Sequence, residues 1–125
     1  MWRWDIPAPR KQRRYAMLYE LRTYWANPGK AESMHRRFAV HTDHLFRKHG
    51  MTVVAYWIPE GGHELHGDLV YLLAHVSQAS YDASWAAFRS DPVWQKAKAD
   101  SEVDGILVAK LDSVLLRSTV YSPLK

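Results

Sequence analysis

The sequence predicts an α+β domain in which a four-stranded antiparallel sheet carries two helices on one face. Three observations support this. Four runs have the composition and alternation of strands, and two amphipathic segments carry helix start and stop signals. The elements follow one another in the order β-α-β-β-α-β, which is that of a ferredoxin-like split βαβ sandwich. A chain of 125 residues suits one core and leaves no room for a second domain.

The first strand is expected at Tyr15 to Tyr24, where Met17, Tyr19, Leu21 and Thr23 alternate with Leu18, Glu20, Arg22 and Tyr24. One long helix follows from Asn27 to Gly50. Asn27 can cap it, Pro28 suits its first position, and Gly50 can take the left-handed conformation that closes it. At 100° per residue Met34, Phe38, His41 and Leu45 fall within about 60° of one another, so His41 is expected to face the core.

MTVVAYWIP, Met51 to Pro59, is β-branched and aromatic, as a second strand should be. The polar, glycine-rich stretch Glu60 to Asp68 suits a hairpin loop, and LVYLLAHV, Leu69 to Val76, is the third strand. Ser80 can cap a helix carrying Tyr81, Trp85 and Phe88. Asp91-Pro92 repeats a cap-then-proline signal, so this second helix is broken and runs on to about Glu102. Ile106 to Arg117 is the fourth strand, and an extended tail ends the chain. Strands two and three are apolar on both faces, yet two helices cover only one. A second copy packed sheet to sheet is the simplest cover, so a homodimer is expected.

Charge is unevenly placed. Arg3, Arg10, Lys11, Arg13 and Arg14 stand against Asp5 in residues 1–14 and account for the whole net charge of +4. These residues read as a basic N-terminal tail before a domain spanning residues 15–125, and Met17 is a candidate natural start. With the folded part neutral, no nucleic-acid partner is expected. There is no cysteine, no apolar run near the roughly 20 residues of a bilayer span and no signal-peptide core, so neither membrane nor disulfides are expected and the location reads as cytoplasmic.

Several segments also resemble a family. YELRTY (19–24), PGK (28–30), HGM (49–51), AYW (55–57), LVYLLAH (69–75), SWAAFRSDPVWQ (84–95) and YSP (121–123) are similar to bacterial NIPSNAP proteins, and the WxxFRxDPxWQ block is the most specific of them. The resemblance covers the chain from Met17 onward and implies a dimeric α/β barrel. Neighbouring groups of that superfamily include cofactor-free monooxygenases, lactone isomerases, polyketide cyclases and haem-degrading enzymes. NIPSNAP proteins share no agreed catalytic motif, so the resemblance supplies no active site. This chain departs from the family in its basic leader and in HELHG (63–67).

Among individual residues His41 is the candidate general base, an imidazole expected amid Met34, Phe38 and Leu45; the alternative is a structural histidine with a core partner. Arg22, Phe38, Tyr71, His75 and Trp57 are the candidate ligand-binding set. Arg22 would anchor an acidic group, or pair structurally with Glu20; Tyr71 and His75 share a strand face; the aromatics would wall an apolar pocket or fill the core. His63 and His66 lack the third ligand a metal site needs, so no metal is expected, and a haem with His41 or His75 as axial ligand has no second signal, so no cofactor is expected. The expected function is binding of a small apolar or aromatic ligand between helix one and the sheet, in a cofactor-free enzyme or in a binding protein. The alternative is a non-catalytic homodimeric interaction module.

Overall fold

The computed structural model describes residues 17–125; the basic tail and the first two residues of the expected first strand lie outside the described residues. The strands are β1 (Leu18–Ala26), β2 (Thr52–Trp57), β3 (Leu69–His75) and β4 (Val108–Arg117). Helix α1 is a continuous run made of Ala31–Arg37, a π segment Phe38–Thr42 and Asp43–Lys48. A single turn, α2 (His63–His66), lies in the hairpin loop, and α3 (Gln78–Ser90) and α4 (Pro92–Ser101) form the broken second helix. The sheet order is β2-β3-β1-β4 with antiparallel neighbours throughout, the split βαβ arrangement expected from the element order.

Helices cover the face that carries Glu20, Arg22 and Tyr24 of β1 and Tyr71, Leu73 and His75 of β3. On that face Tyr24, Met34, Phe38, Leu45, Phe46, Tyr71, Leu73, Trp85 and Phe88 form the core. The opposite face bears Leu21, Val70 and Leu72, half-buried, with Val114, Leu116 and Trp57 exposed. Simple alternation along β2 would put Trp57 on the same face as Val53. A bulge between Val53 and Ala55 breaks that phase, so Val53 and Tyr56 pack on the core while Trp57 stands opposite Val70 on the outer face, 49% exposed.

The π segment makes the larger correction. In an unbroken α-helix His41 would sit mid-stripe, but it is exposed, and Thr42 is buried in its place. Widening the turn absorbs one extra residue, after which every position lags by about 100°. With that lag Met34, Arg37, Phe38, Thr42, Leu45 and Phe46 share an arc of about 120°, and these are the residues buried along α1. The packing that made His41 a core base is therefore absent.

Helix ends follow local chemistry with two shifts. Asn27 does not cap α1: its N–H and side-chain amide donate to the carbonyls of Leu107 and Ile106 at 2.8 Å each, tying β1 to the entry of β4, and the helix begins at Ala31. Ser77 rather than Ser80 caps α3, accepting from the Ser80 N–H at 3.1 Å. Gly50 closes α1 as expected, with φ 84° and the Gly50 and Met51 amides donating back to the Arg47 and Phe46 carbonyls. Asp91 caps α4 through the Val93 N–H, with Pro92 at the first position, and its other oxygen binds Lys48 and His49 at 2.8 and 2.7 Å. Among the described residues no helix is long and apolar enough to cross a membrane.

Candidate functional site

β1 places Glu20, Arg22 and Tyr24 in a row on the helix-covered face, and the antiparallel register sets Arg22 opposite Tyr71 on β3 and opposite Ser113 on β4. Trp85 reaches down from α3, because it shares the buried stripe of that helix with Phe88. Of these polar groups Glu20 is completely buried and His75 is 2% exposed, while Ser113 on β4 is open to water.

Glu20 is the hub. One carboxylate oxygen accepts from Trp85 Nε1 at 2.8 Å and pairs with His75 Nε2 at 2.9 Å; the other accepts from Arg22 Nη1 at 2.8 Å and from the Ser113 hydroxyl at 3.1 Å. Burial raises its pKa, but the hydrogen bonds from His75, Trp85 and Arg22, with the charge of Arg22, outweigh burial and hold the carboxyl below its ordinary value. Glu20 is thus ionised, and the shared bond assigns the His75 proton to Nε2, leaving Nδ1 buried without a partner among the described residues.

Arg22 is fixed from every side. Nε donates to the Tyr71 hydroxyl at 2.9 Å, Nη2 to the Tyr24 hydroxyl at 3.1 Å, and the guanidinium lies 4.4 Å from the Trp85 ring centroid. Burial pulls its pKa down, but Tyr24, Tyr71 and Glu20 together raise it above its ordinary value, so it stays cationic. Tyr71 is pushed well above the usual phenol range, first by burial and then by Tyr24, and it passes its own hydrogen to the Tyr24 oxygen at 3.0 Å. Five guanidinium hydrogens meet three acceptors, so one on each terminal nitrogen has no acceptor among the described residues. The side chain is 12% exposed. Beside it runs β4, the edge strand, whose inward positions Leu115 and Leu111 flank Ser113 and are 38% and 46% exposed.

The structure therefore brings together Arg22, Tyr71 and His75 of the expected ligand-binding set and confirms the Glu20–Arg22 pair. Phe38 is core: its ring meets those of Tyr24, Phe46, Tyr56 and Tyr71 at 5.3–6.2 Å, and these rings fill the space between α1 and the sheet. Trp57 and His41 lie apart from the network, the first on the outer face and the second on the exposed side of α1. Tyr24, Trp85 and Ser113 were not named as site residues. Ser113 had a signal, the one polar residue alternating with Leu111 and Leu115, and Trp85 had another, an indole N–H that must find an acceptor when buried.

His63 lies 2.6 Å from Asp68, whose same oxygen accepts the Ala26 N–H at 2.7 Å, so the HELHG loop is docked on the end of β1.

Solved structures with the same fold include a NIPSNAP family protein of unknown function from Agrobacterium tumefaciens, 22% identical, with a TM-score of 0.75 over 89% of this chain and 96% of that one. An uncharacterised NIPSNAP-like domain protein from Burkholderia xenovorans is 18% identical, with a TM-score of 0.73 over 87% of this chain and 90% of its own. A protein of unknown function from Rhodopseudomonas palustris matches less closely, at 15% identity and a TM-score of 0.57 over 91% and 96% of the two chains. No curated protein matches. The NIPSNAP family pattern itself matches residues 19–123, nearly all of the described chain, and the protein belongs to the NIPSNAP family.

Proposed function

We propose that the protein is a homodimer that binds a small molecule with an apolar body and an acidic or enolic oxygen at Arg22, along the uncovered inner side of β4. The observation that carries this is a buried-edge guanidinium held by three hydrogen bonds and an indole face, with two hydrogens that have no acceptor among the described residues. A cation fixed in this way needs no reorganisation to receive an oxygen, and Leu111 and Leu115 offer the apolar surface beside it. The place differs from the gap between helix one and the sheet, which aromatic rings occupy. Dimerisation rests on the outer face, where Val114, Leu116 and Trp57 continue the apolar surface of Leu21, Val70 and Leu72.

Two measurements test the reading. In thermal-shift and calorimetric titrations benzoate should bind and benzyl alcohol should not. Arg22→Gln should abolish the difference, and because that change also disturbs the core network, Leu111→Glu, at an exposed position in register with Tyr24 rather than with Glu20, serves as a second variant that repels the anion. Benzoate binding unaffected by Leu111→Glu would place the ligand elsewhere. For the dimer, light scattering should give twice the chain mass for wild type and the monomer mass for Val114→Glu; a monomeric wild type refutes the paired sheets.

A further inference from the structure

A concavity lies between α3 and α4: an open groove of about 440 Å³ lined by Arg89, Trp94, Gln95, Lys98, Ala99 and Glu102. It shares no lining residue with the Arg22 network. Its volume falls in the range of small-molecule sites.

Donors outnumber acceptors in this groove, whose own side-chain acceptors are Glu102 and the Gln95 oxygen. Glu102 is its only carboxylate, and one of that group's oxygens already accepts from Arg37 Nη1 at 3.3 Å and from the Leu107 N–H at 3.1 Å. The Gln95 amide donates to the Arg89 carbonyl at 3.1 Å. In contrast, the guanidinium of Arg89, the ammonium of Lys98 and the indole N–H of Trp94 meet no acceptor among the described residues. Trp94 is held in place, with its ring 4.6 Å from that of Phe88 and the Arg37 guanidinium 5.2 Å from its centroid. Arg89 is steadied by Trp85, 5.8 Å from its guanidinium carbon. An isolated surface lysine is a solvated charge; two cations and a fixed indole lining one concavity, with one carboxylate already shared with Arg37, make a donor set larger than its acceptors.

We propose that this groove is a binding site for a small molecule bearing an oxyanion, a carboxylate or a phosphate. Arg89 would present paired N–H groups, Lys98 a point charge, and Trp94 a neutral donor.

The test uses the full chain, uniformly ¹⁵N-labelled, with the Trp94 indole resonance assigned by Trp94→Phe. Inorganic phosphate and acetate are titrated separately to about 10 mM, which saturates a millimolar site, against sodium chloride at matched ionic strength. Expected is a saturable shift of the Trp94 indole signal with at least one oxyanion and not with chloride; which of the two acts distinguishes a phosphate from a carboxylate ligand. Arg89→Gln with Lys98→Gln, both at exposed positions, should weaken that binding by about tenfold or more. Equal responses to chloride and to both oxyanions, or an unchanged affinity in the double variant, would overturn the proposal. Benzoate binding at Arg22 would be untouched by either result.

Discussion

Glu20→Ala removes the shared acceptor of four donors at a fully buried position. Breaking a buried ion pair by deleting one partner costs about 3–5 kcal/mol, because the remaining charge is left uncompensated. The indole of Trp85 and the imidazole of His75 also lose their acceptor, each orphan costing about 1–3 kcal/mol when counted alone. The terms overlap, since all act on one cluster, so the expected loss is about 4–6 kcal/mol. Against a typical total of about 5–15 kcal/mol for a domain, that leaves the variant near the edge of folding, with a melting temperature lower by about 15–25 °C. Urea unfolding followed by far-UV circular dichroism measures it. Glu20→Ala with Arg22→Met should recover about 2 kcal/mol or more relative to Glu20→Ala, because the unpaired charge is gone. A loss below about 1 kcal/mol in the single variant, or no recovery in the double, would mean that water solvates the cluster and would remove Arg22 as a pre-organised cation.

The same residue fixes a pH dependence. The folded carboxyl titrates below its ordinary value of 4.5, so Glu20 contributes stability above that pH and the contribution disappears as pH falls through the folded value. Comparing wild type with Glu20→Gln, the stability gap should be full near about pH 6 and narrow on acidification below about pH 4.5. A gap that widens on acidification would reverse the assigned shift. His41→Ala should change stability by less than about 0.5 kcal/mol, because the side chain is exposed. Deleting Val40, 60% exposed within the π segment, should convert α1 to a regular helix that keeps Phe38 and Thr42 on the buried stripe; chemical unfolding should show a loss below about 1 kcal/mol, and an unfolded deletion variant refutes the one-residue lag. Gly67→Ala should cost about 2 kcal/mol or more, since φ is 79° and an added Cβ would stand 2.8 Å from the Tyr24 carbonyl; a neutral result would mean that the loop is not docked on β1.

Much of the fold was legible because it is written in local chemistry. Alternation in LYELRTY, the β-branched run of β2, the apolar run of β3, the Asp91-Pro92 break and the Gly50 stop each act within a few residues of themselves, so one chain read in order supplies them. The Glu20–Arg22 pair was legible for the same reason, two residues apart on one face of one strand.

Tertiary structure decided the rest. One extra residue in α1 turned His41 out and Thr42 in, and one bulge in β2 moved Trp57 away from Val53. Both are slips of a backbone hydrogen-bond ladder by a single residue, which packing selects and periodicity assumes away. The partners of Glu20 come from positions 75, 85 and 113 on three other elements, so their meeting depends on strand register and on the face that α3 presents. The sequence by itself determined which elements form and in what order, because that information is local; the tertiary structure alone decided which polar groups share one buried charge, because that depends on distances the chain closes only when it folds.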